Sequence, residues 1–343
     1  MRRSIRTMTA IGAFALMAMS ATPNDASAAD TFAGKRLTVV VSYGAGGSYG
    51  LYGRLAANHI GKYLPGNPSV VVQYMPGAGG IKATNYLYNA AAKDGSFVGM
   101  VTKDLAVAQA LRPSKTKFDA RKFNWVGRIN EYVAVIIVMN KRGINSFEDI
   151  KKKQIIMGVS GRNHHGYMLA SMLNELVGAK FKLVTGYRGA KAMNLAMEGG
   201  EVDARIGSSM TLKTQLAAQV RDGQMKAIVQ SGEKKSPGLP NVPLVNEMFS
   251  NPGDRQVAQL IDSGTVLGWS LLLPPGVAGD RVGAWRSGLA KMMTDSTLQA
   301  RAKQAKADLS YKSGQEISAF VTKVLSTDPK VFARARKLVG IKK

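Results

Sequence analysis

None of the 343 residues is cysteine. That excludes disulfides, thiolate nucleophiles and a lipid anchor on an N-terminal cysteine. Histidine is scarce, with only His59, His164 and His165. No paired carboxylate stands at ligand spacing beside the adjacent pair, so no metal is expected. His59 falls on an expected helix as a surface or packing residue. The His164-His165 pair reads either as structural or as hydrogen-bonding to a ligand. After the first twenty residues, no run reaches the roughly 18 apolar residues of a membrane span. Signature loops are missing as well. There is no Gly-Lys-Ser/Thr phosphate loop and no Gly-x-Ser-x-Gly elbow. Gly44-x-Gly46 is followed by Tyr49 where a dinucleotide fingerprint needs its third glycine, and the second strand ends in Gln73 and Tyr74 without an acid. No cofactor is expected.

Negative charge is also in short supply, with 22 acidic residues against 47 lysines and arginines and a net charge of +25. Such a field draws anions. The basic residues are scattered over 112–122, 151–153, 301–306 and the last ten positions. No aromatic-interleaved groove or nucleic-acid motif accompanies them, so nucleic acid is not an expected partner. A solvated face accounts for most of these lysines.

The chain opens on Arg2, Arg3 and Arg6, then the apolar stretch Ile11 to Met19, then Ala26-Ser27-Ala28-Ala29. A basic, apolar, small-residue series is a secretory signal. Residues 1–29 read as a leader cut after Ala28 or Ala29, which places the mature chain in the periplasm.

The remainder is long enough for two domains. Leu37 to Val41 reads as a strand running into a turn with glycines at 44, 46, 47 and 50, and then an apolar-periodic helix. Glycine lets the backbone turn tightly and bring amides close to a guest. A helix start presents unpaired N–H groups and a positive dipole end, which suits an anion. Val70 to Tyr74, the turn Gly77-Ala78-Gly79-Gly80 and a helix from Ile81 repeat the unit. Phe97 to Thr102 follows as a strand, and this is parallel-sheet logic. Residues 129–231 alternate strand and helix as a block of their own. The flanking segments 30–128 and 232–343 make the other domain, so the chain crosses between domains twice. Leu212 to Val220 reads as a helix, Val266 to Leu273 as an apolar strand, and the C-terminal third as largely helical.

Taken together, several fragments are similar in order and spacing to one family. They are Val39-Val40-Val41-Ser42-Tyr43-Gly44-Ala45-Gly46-Gly47, Pro76-Gly77-Ala78-Gly79-Gly80, Ser160-Gly161, Tyr187-Arg188-Gly189, Gly199-Gly200-Glu201-Val202-Asp203, Leu239-Pro240-Asn241-Val242-Pro243 and Leu273-Pro274-Pro275-Gly276-Val277. The chain resembles the periplasmic solute-binding proteins of tripartite tricarboxylate transporters, the TctC or Bug family, over essentially its whole mature length.

The resemblance implies an α/β, type II periplasmic-binding-protein-like clamshell, each lobe a mainly parallel sheet flanked by helices. It implies a monomer, not an enzyme, that hands a small organic anion to membrane permease subunits. By position, one carboxylate of the guest would be gripped by Tyr43, Gly46, Gly47, Ser48 and Tyr49 from the first turn and by Ala78, Gly79 and Gly80 from the second. Ser160, Asn163, His164, Tyr187, Arg188, Ser208 and Ser209 would face them. Tyr43, Tyr49 and Tyr187 could line an aromatic or apolar part of the guest. A dicarboxylate or an aromatic carboxylate is the expected ligand class.

Two positions depart from the family pattern. Tyr49 and Gly50 stand where many relatives carry Thr-Asp, which disfavours an amino acid as ligand. Arg188 replaces a lysine and offers a planar fork, either to a second carboxylate or to its own loop. The rival readings are a cleft enzyme using Ser160 and His164, with Asp203 as the candidate orienting acid, on a carboxylated metabolite, and a basic polyanion-binding envelope protein.

Overall fold

A computed structural model describes residues 31–140 and 143–341. The leader and its cleavage point lie outside the described residues. The chain begins with β1 (Arg36–Val41), α1 (Ser48–Ile60), β2 (Ser69–Tyr74), α2 (Ile81–Asn89), β3 (Phe97–Met100), α3 (Leu105–Leu111) and β4 (Asn124–Arg128). It continues with β5 (Ala134–Met139), α4 (Asp149–Lys152), β6 (Ile155–Val159), α5 (His165–Val177), β7 (Phe181–Thr185), α6 (Ala190–Glu198), β8 (Ala204–Ser208), α7 (Ser209–Lys213), α8 (Ala217–Arg221) and β9 (Met225–Ser231). The last part holds α9 (Pro252–Leu267), β10 (Ser270–Leu273), α10 (Gly279–Met293), α11 (Ser296–Gln304), β11 (Lys312–Ser313), α12 (Gly314–Leu325) and α13 (Pro329–Leu338).

These elements form the two-lobed α/β fold. One sheet has the order β11-β4-β10-β3-β1-β2, the other β7-β6-β8-β5-β9. Both are mixed. The strand–loop–helix repeats give the parallel parts, β2-β1-β3 and β7-β6-β8. β10 and β11 join the first sheet antiparallel, and β5 runs against both its neighbours in the second. The chain passes between the sheets from Arg128 to Ala134, and β10 and β11 follow after the second sheet ends at Ser231.

Two expected elements come out differently. The strand drawn from Val266 to Leu273 starts only at Ser270, because Val266 and Leu267 are the last turn of α9. That helix is capped by the Asn251 side chain, which accepts from the Gly253 and Asp254 amides, with Pro252 at its first position, where proline's missing N–H is no loss. It ends at Gly268, whose φ of +50° lies in the left-handed region that glycine tolerates. The helix expected over Leu212 to Val220 is two short helices, broken at Thr214 to Leu216. The break frees the Gln215 side chain to reach the other lobe.

One apolar core runs from the first sheet through α9, with Val257, Leu260 and Ile261, to the α5 residues Leu169, Met172 and Leu173. A smaller core of Val135, Ile137, Met197 and Met225 fills the other face of the second sheet. Charged groups are threaded through the joint. Asp104, at the head of α3, pairs with Lys103 Nζ at 2.7 Å and accepts from the His165 amide at 3.0 Å. His165 Nε2 lies 3.1 Å from Asp262 Oδ1 on α9, which also accepts from Ser231 Oγ at 2.5 Å. Lys103 Nζ also sits 4.8 Å from the centre of the Tyr132 ring, a cation–π contact. All five polar residues of this network are buried.

Candidate functional site

The first glycine turn follows β1 because four consecutive valine and threonine positions commit the backbone to an extended strand and the glycines then release it. Tyr43 folds inward and its hydroxyl reaches Gly79 O at 3.0 Å and Thr102 Oγ1 at 3.1 Å. This bond ties the two glycine turns together. Tyr49 lies 4.6 Å from Tyr43 between ring centres, and its hydroxyl accepts from the Lys103 amide at 2.9 Å. Burial pushes both phenols well above their ordinary range, so both stay neutral.

Helix α1 starts at Ser48, and no acidic residue stands in its first turn. Among the described residues, the amides of Gly47 and Tyr49 donate no hydrogen bond to the protein. With its side-chain amide turned so that donor meets acceptor, Gln215 donates to Gly46 O at 3.3 Å and accepts from Ser48 N at 3.2 Å. The second lobe thus holds the rim of this helix head while leaving its neighbouring donors open.

The helix head opens into a cavity between the lobes. Its space for the centre of a water-sized sphere is about 40 Å³, several times the roughly 10–15 Å³ that one water needs. The first-lobe wall is Tyr43, Gly44, Gly47, Ser48 and Tyr49. The second-lobe wall includes Ser160, His164, Ala190, Met193, Arg205 and Thr211, with Tyr132 from the crossing segment. The lining holds one cation and no carboxylate. Ser160 Oγ, His164 Nδ1 and Arg205 Nη2 are buried without a hydrogen-bond partner among the described residues. Buried polar atoms without partners are rare in folded proteins, and here three belong to residues that line one chamber.

The expected site residues divide into two groups. Tyr43, Gly47, Ser48, Tyr49, Ser160 and His164 come together on the cavity. Gly46 sits on an outer groove with Arg188 and Lys191. Ala78, Gly79 and Gly80 do not line the cavity. Gly79 packs on the second lobe instead, and a Cβ built there would lie 3.1 Å from the His164 amide. The Gly80 amide donates within its own turn to Gly77 O. Asn163 is near this contact, its Oδ1 buried and unpartnered, but it does not line the cavity. Tyr187 turns away, its hydroxyl donating to Glu201, and burial followed by that carboxylate pushes it up to about 12. Arg188 contributes its carbonyl, which accepts from the Gly44 amide at 3.3 Å, and it lines the outer groove and not the cavity. Ser208 and Ser209 face a different depression, beside Lys213 and Lys234.

From the sequence, Arg205, Tyr132 and Thr211 have no site role, and helical spacing assigns Met193 to packing, yet all four line the cavity. Arg205 had a signal: it is the one charged residue inside the strand Ala204-Arg205-Ile206-Gly207-Ser208. It is 1% exposed. Its Nε donates to Asn194 Oδ1 at 2.5 Å and its Nη1 to Ile206 O at 2.9 Å. Burial lowers its pKa to about 10, and no carboxylate acts on it.

Burial also drives His164 down to about 4, against the pull of Asp104 and with the help of Lys103. Its folded-state value lies below its ordinary 6.5, so the unfolded chain takes up the proton first as pH falls. This contribution to stability is complete above about 6.5 and disappears as pH falls towards about 4. A His164→Asn variant is expected to show a flatter decline of the urea midpoint over that range. A decline as steep as that of the unmodified chain would contradict the assignment.

Among the described residues, Ser160, His164 and Asp203 do not form a hydrogen-bonded relay for covalent chemistry. Ser160 Oγ and His164 Nδ1 make no hydrogen bond with each other, and Asp203 Oδ2 accepts from the Ile156 amide.

The model of the tripartite tricarboxylate transporter family receptor matches residues 53–327. The chain belongs to that family. Among curated relatives, a UPF0065 protein from the TAR-I ttuE-ttuC' intergenic region of Agrobacterium vitis is 26% identical over 72% of this chain and 71% of its own length. Among solved structures, the periplasmic binding protein BugD is 21% identical with a TM-score of 0.72, covering 90% of this chain and 98% of that one. R. palustris Rpa4515, solved with adipate, is 18% identical with a TM-score of 0.69, covering 89% and 97%. These structural likenesses show the receptor fold. The TctC family receptors are periplasmic solute-binding proteins for small organic anions, and the receptor role is not an enzymatic one.

Proposed function

We propose that this TctC-family receptor captures a small organic dicarboxylate in the periplasm, after removal of residues 1–29, and delivers it as a monomer to the membrane permease of a tripartite transporter. In this reading residues 30–128 and 232–343 form one lobe, residues 129–231 form the other, and the guest is buried as they close. The observation that carries it is the inter-lobe cavity walled by open helix-head amides and a buried cation, with no carboxylate in its lining. Fixed backbone donors bind an anion without rearranging.

Of the two expected ligand classes, the aliphatic dicarboxylate is the better supported. Tyr187 stands outside the cavity, and Tyr43 and Tyr49 pack against each other at a 52° tilt with their hydroxyls engaged. The adipate in a structural relative supports the same choice. A thermal-shift panel on the mature chain tests it with aliphatic dicarboxylates, citrate-like acids, benzoate and phthalate types, amines and neutral solutes. The expected result is a rise in melting temperature with aliphatic diacids. At a hundredfold excess over Kd the added stability is about 2.7 kcal/mol. A rise only with amines or neutral solutes would refute the proposal.

A further inference from the structure

We infer that Arg205 binds the second acid group of the guest and sets a preference for diacids over monoacids. The inference rests on the carboxylate-receptor reading and adds to it the residue that decides between one charge and two.

Arg205 is a built feature. It lies in the middle of β8, fully buried, where a charge without a partner is strongly unfavourable. Two of its three nitrogens are fixed, Nε by Asn194 on α6 and Nη1 by the Ile206 carbonyl. These bonds set the plane of the guanidinium. The third nitrogen, Nη2, has no partner. The next residue but one supplies the room: a Cβ on Gly207 would stand 2.9 Å from Nη1 and 2.8 Å from Ile137 Cδ1. Arg205 lines the cavity, so an acid group of a guest held there is the partner within reach of this open valence.

The opposite wall of that cavity is the head of α1, with the open amides of Gly47 and Tyr49. A guest with one carboxylate satisfies the helix head and leaves the arginine alone in the closed form. A guest with two satisfies both walls. Truncating one partner of a buried, hydrogen-bonded charge pair has a large effect on binding. Arginine suits the task because its fork is planar and weakly hydrated. A purely structural Arg205, holding α6 against β8 through Asn194, would not distinguish guests by their number of charges.

Isothermal titration of the mature chain near neutral pH tests this, using succinate, glutarate and adipate against their half-amides. The unmodified chain is expected to bind its best diacid at least about 30-fold more tightly than the matching half-amide. In Arg205→Met the two should fall within about threefold, because the cation that separates them is gone. Arg205→Lys keeps the charge without the fork and should show an intermediate ratio. Arg205→Gln gives the same reading as the methionine variant should that one not fold. An unchanged ratio in Arg205→Met or Arg205→Gln overturns the inference. So does an unmodified chain that binds diacids and half-amides alike, although the carboxylate-receptor reading would survive that result. An unmodified chain that binds no carboxylate at all overturns both.

Discussion

Replacing Asp104 by alanine is expected to lower folding stability by about 3–5 kcal/mol, the range for breaking a buried ion pair from one side. Asp104 and Lys103 are both buried, and the carboxylate also receives the His165 amide from the other lobe. Alanine leaves that amide unpaired and the ammonium with only the face of the Tyr132 ring. Calorimetry should show a drop in melting temperature on the order of 10 °C. The double change Lys103→Met with Asp104→Ala should recover much of the loss, because it removes the stranded charge. A single variant within about 1 kcal/mol of the unmodified chain would refute this account.

The same group predicts an acid limit. Burial raises the Asp104 pKa, but Lys103 first and then the neighbouring histidines outweigh burial, so the net shift is downward. A depressed folded-state value means the contribution is complete above the ordinary carboxylate range, about 4, and is lost as pH falls below it. Asp104→Asn should therefore unfold with less dependence on pH in that acid window.

The second large effect concerns Gly50. A Cβ there would stand 2.0 Å from Ala45 O, 2.6 Å from its carbonyl carbon and 2.8 Å from its Cα. All three are backbone atoms of the first glycine turn. Alanine in a helix gains roughly 1 kcal/mol over glycine, but this contact forces the turn itself to move. Overpacking of this kind costs about 1–3 kcal/mol and occasionally more, so the net sign is destabilising. The displaced turn carries Gly47 and Ser48, so ligand affinity should fall at least about tenfold, a change of about 1.4 kcal/mol. Gly283→Ala is the control. It lies inside α10 with nothing within 4 Å of a built Cβ, and should gain about 0.5–1 kcal/mol. A Gly50→Ala variant that behaves like the control would refute the steric argument. The contact also accounts for one departure from the family pattern. The turn in this form leaves no space for the aspartate that many relatives carry there.

Much of the architecture could be read from the sequence because it is written in repeats. Val39-Val40-Val41 before a glycine turn, and Val70-Val71-Val72 before another, signal strands feeding helices by composition alone, although only the first is buried and the second is an edge strand with Val71 exposed. Helix α9 could not be read so easily. Gly253, Gly264 and Gly268 interrupt its pattern, and its apolar end, Val266 and Leu267, runs into the following strand without a polar break. Only the left-handed conformation at Gly268 separates the two.

In the candidate site, the loop backbone was legible and the side-chain directions were not. Tyr187-Arg188-Gly189 was expected at the cleft, and its backbone is there, through the Arg188 carbonyl. The Tyr187 hydroxyl goes to Glu201 instead, and Arg188 lines the outer groove. Arg205 was missed for the opposite reason. A lone arginine in a strand ordinarily marks a solvent-facing position, and only the packing of α6 over β8 reveals that this one is enclosed.

The chamber is made of parts that do not titrate in ordinary water. Its helix-end amides carry no removable charge at any physiological acidity. The histidine has shed its proton well above about 4, and the arginine keeps its own until near 10. Across the span between, the receptacle presents one unvarying face to its cargo. Fluctuating acidity in the surrounding water would alter the cargo's own ionisation while leaving the grip of the protein unchanged.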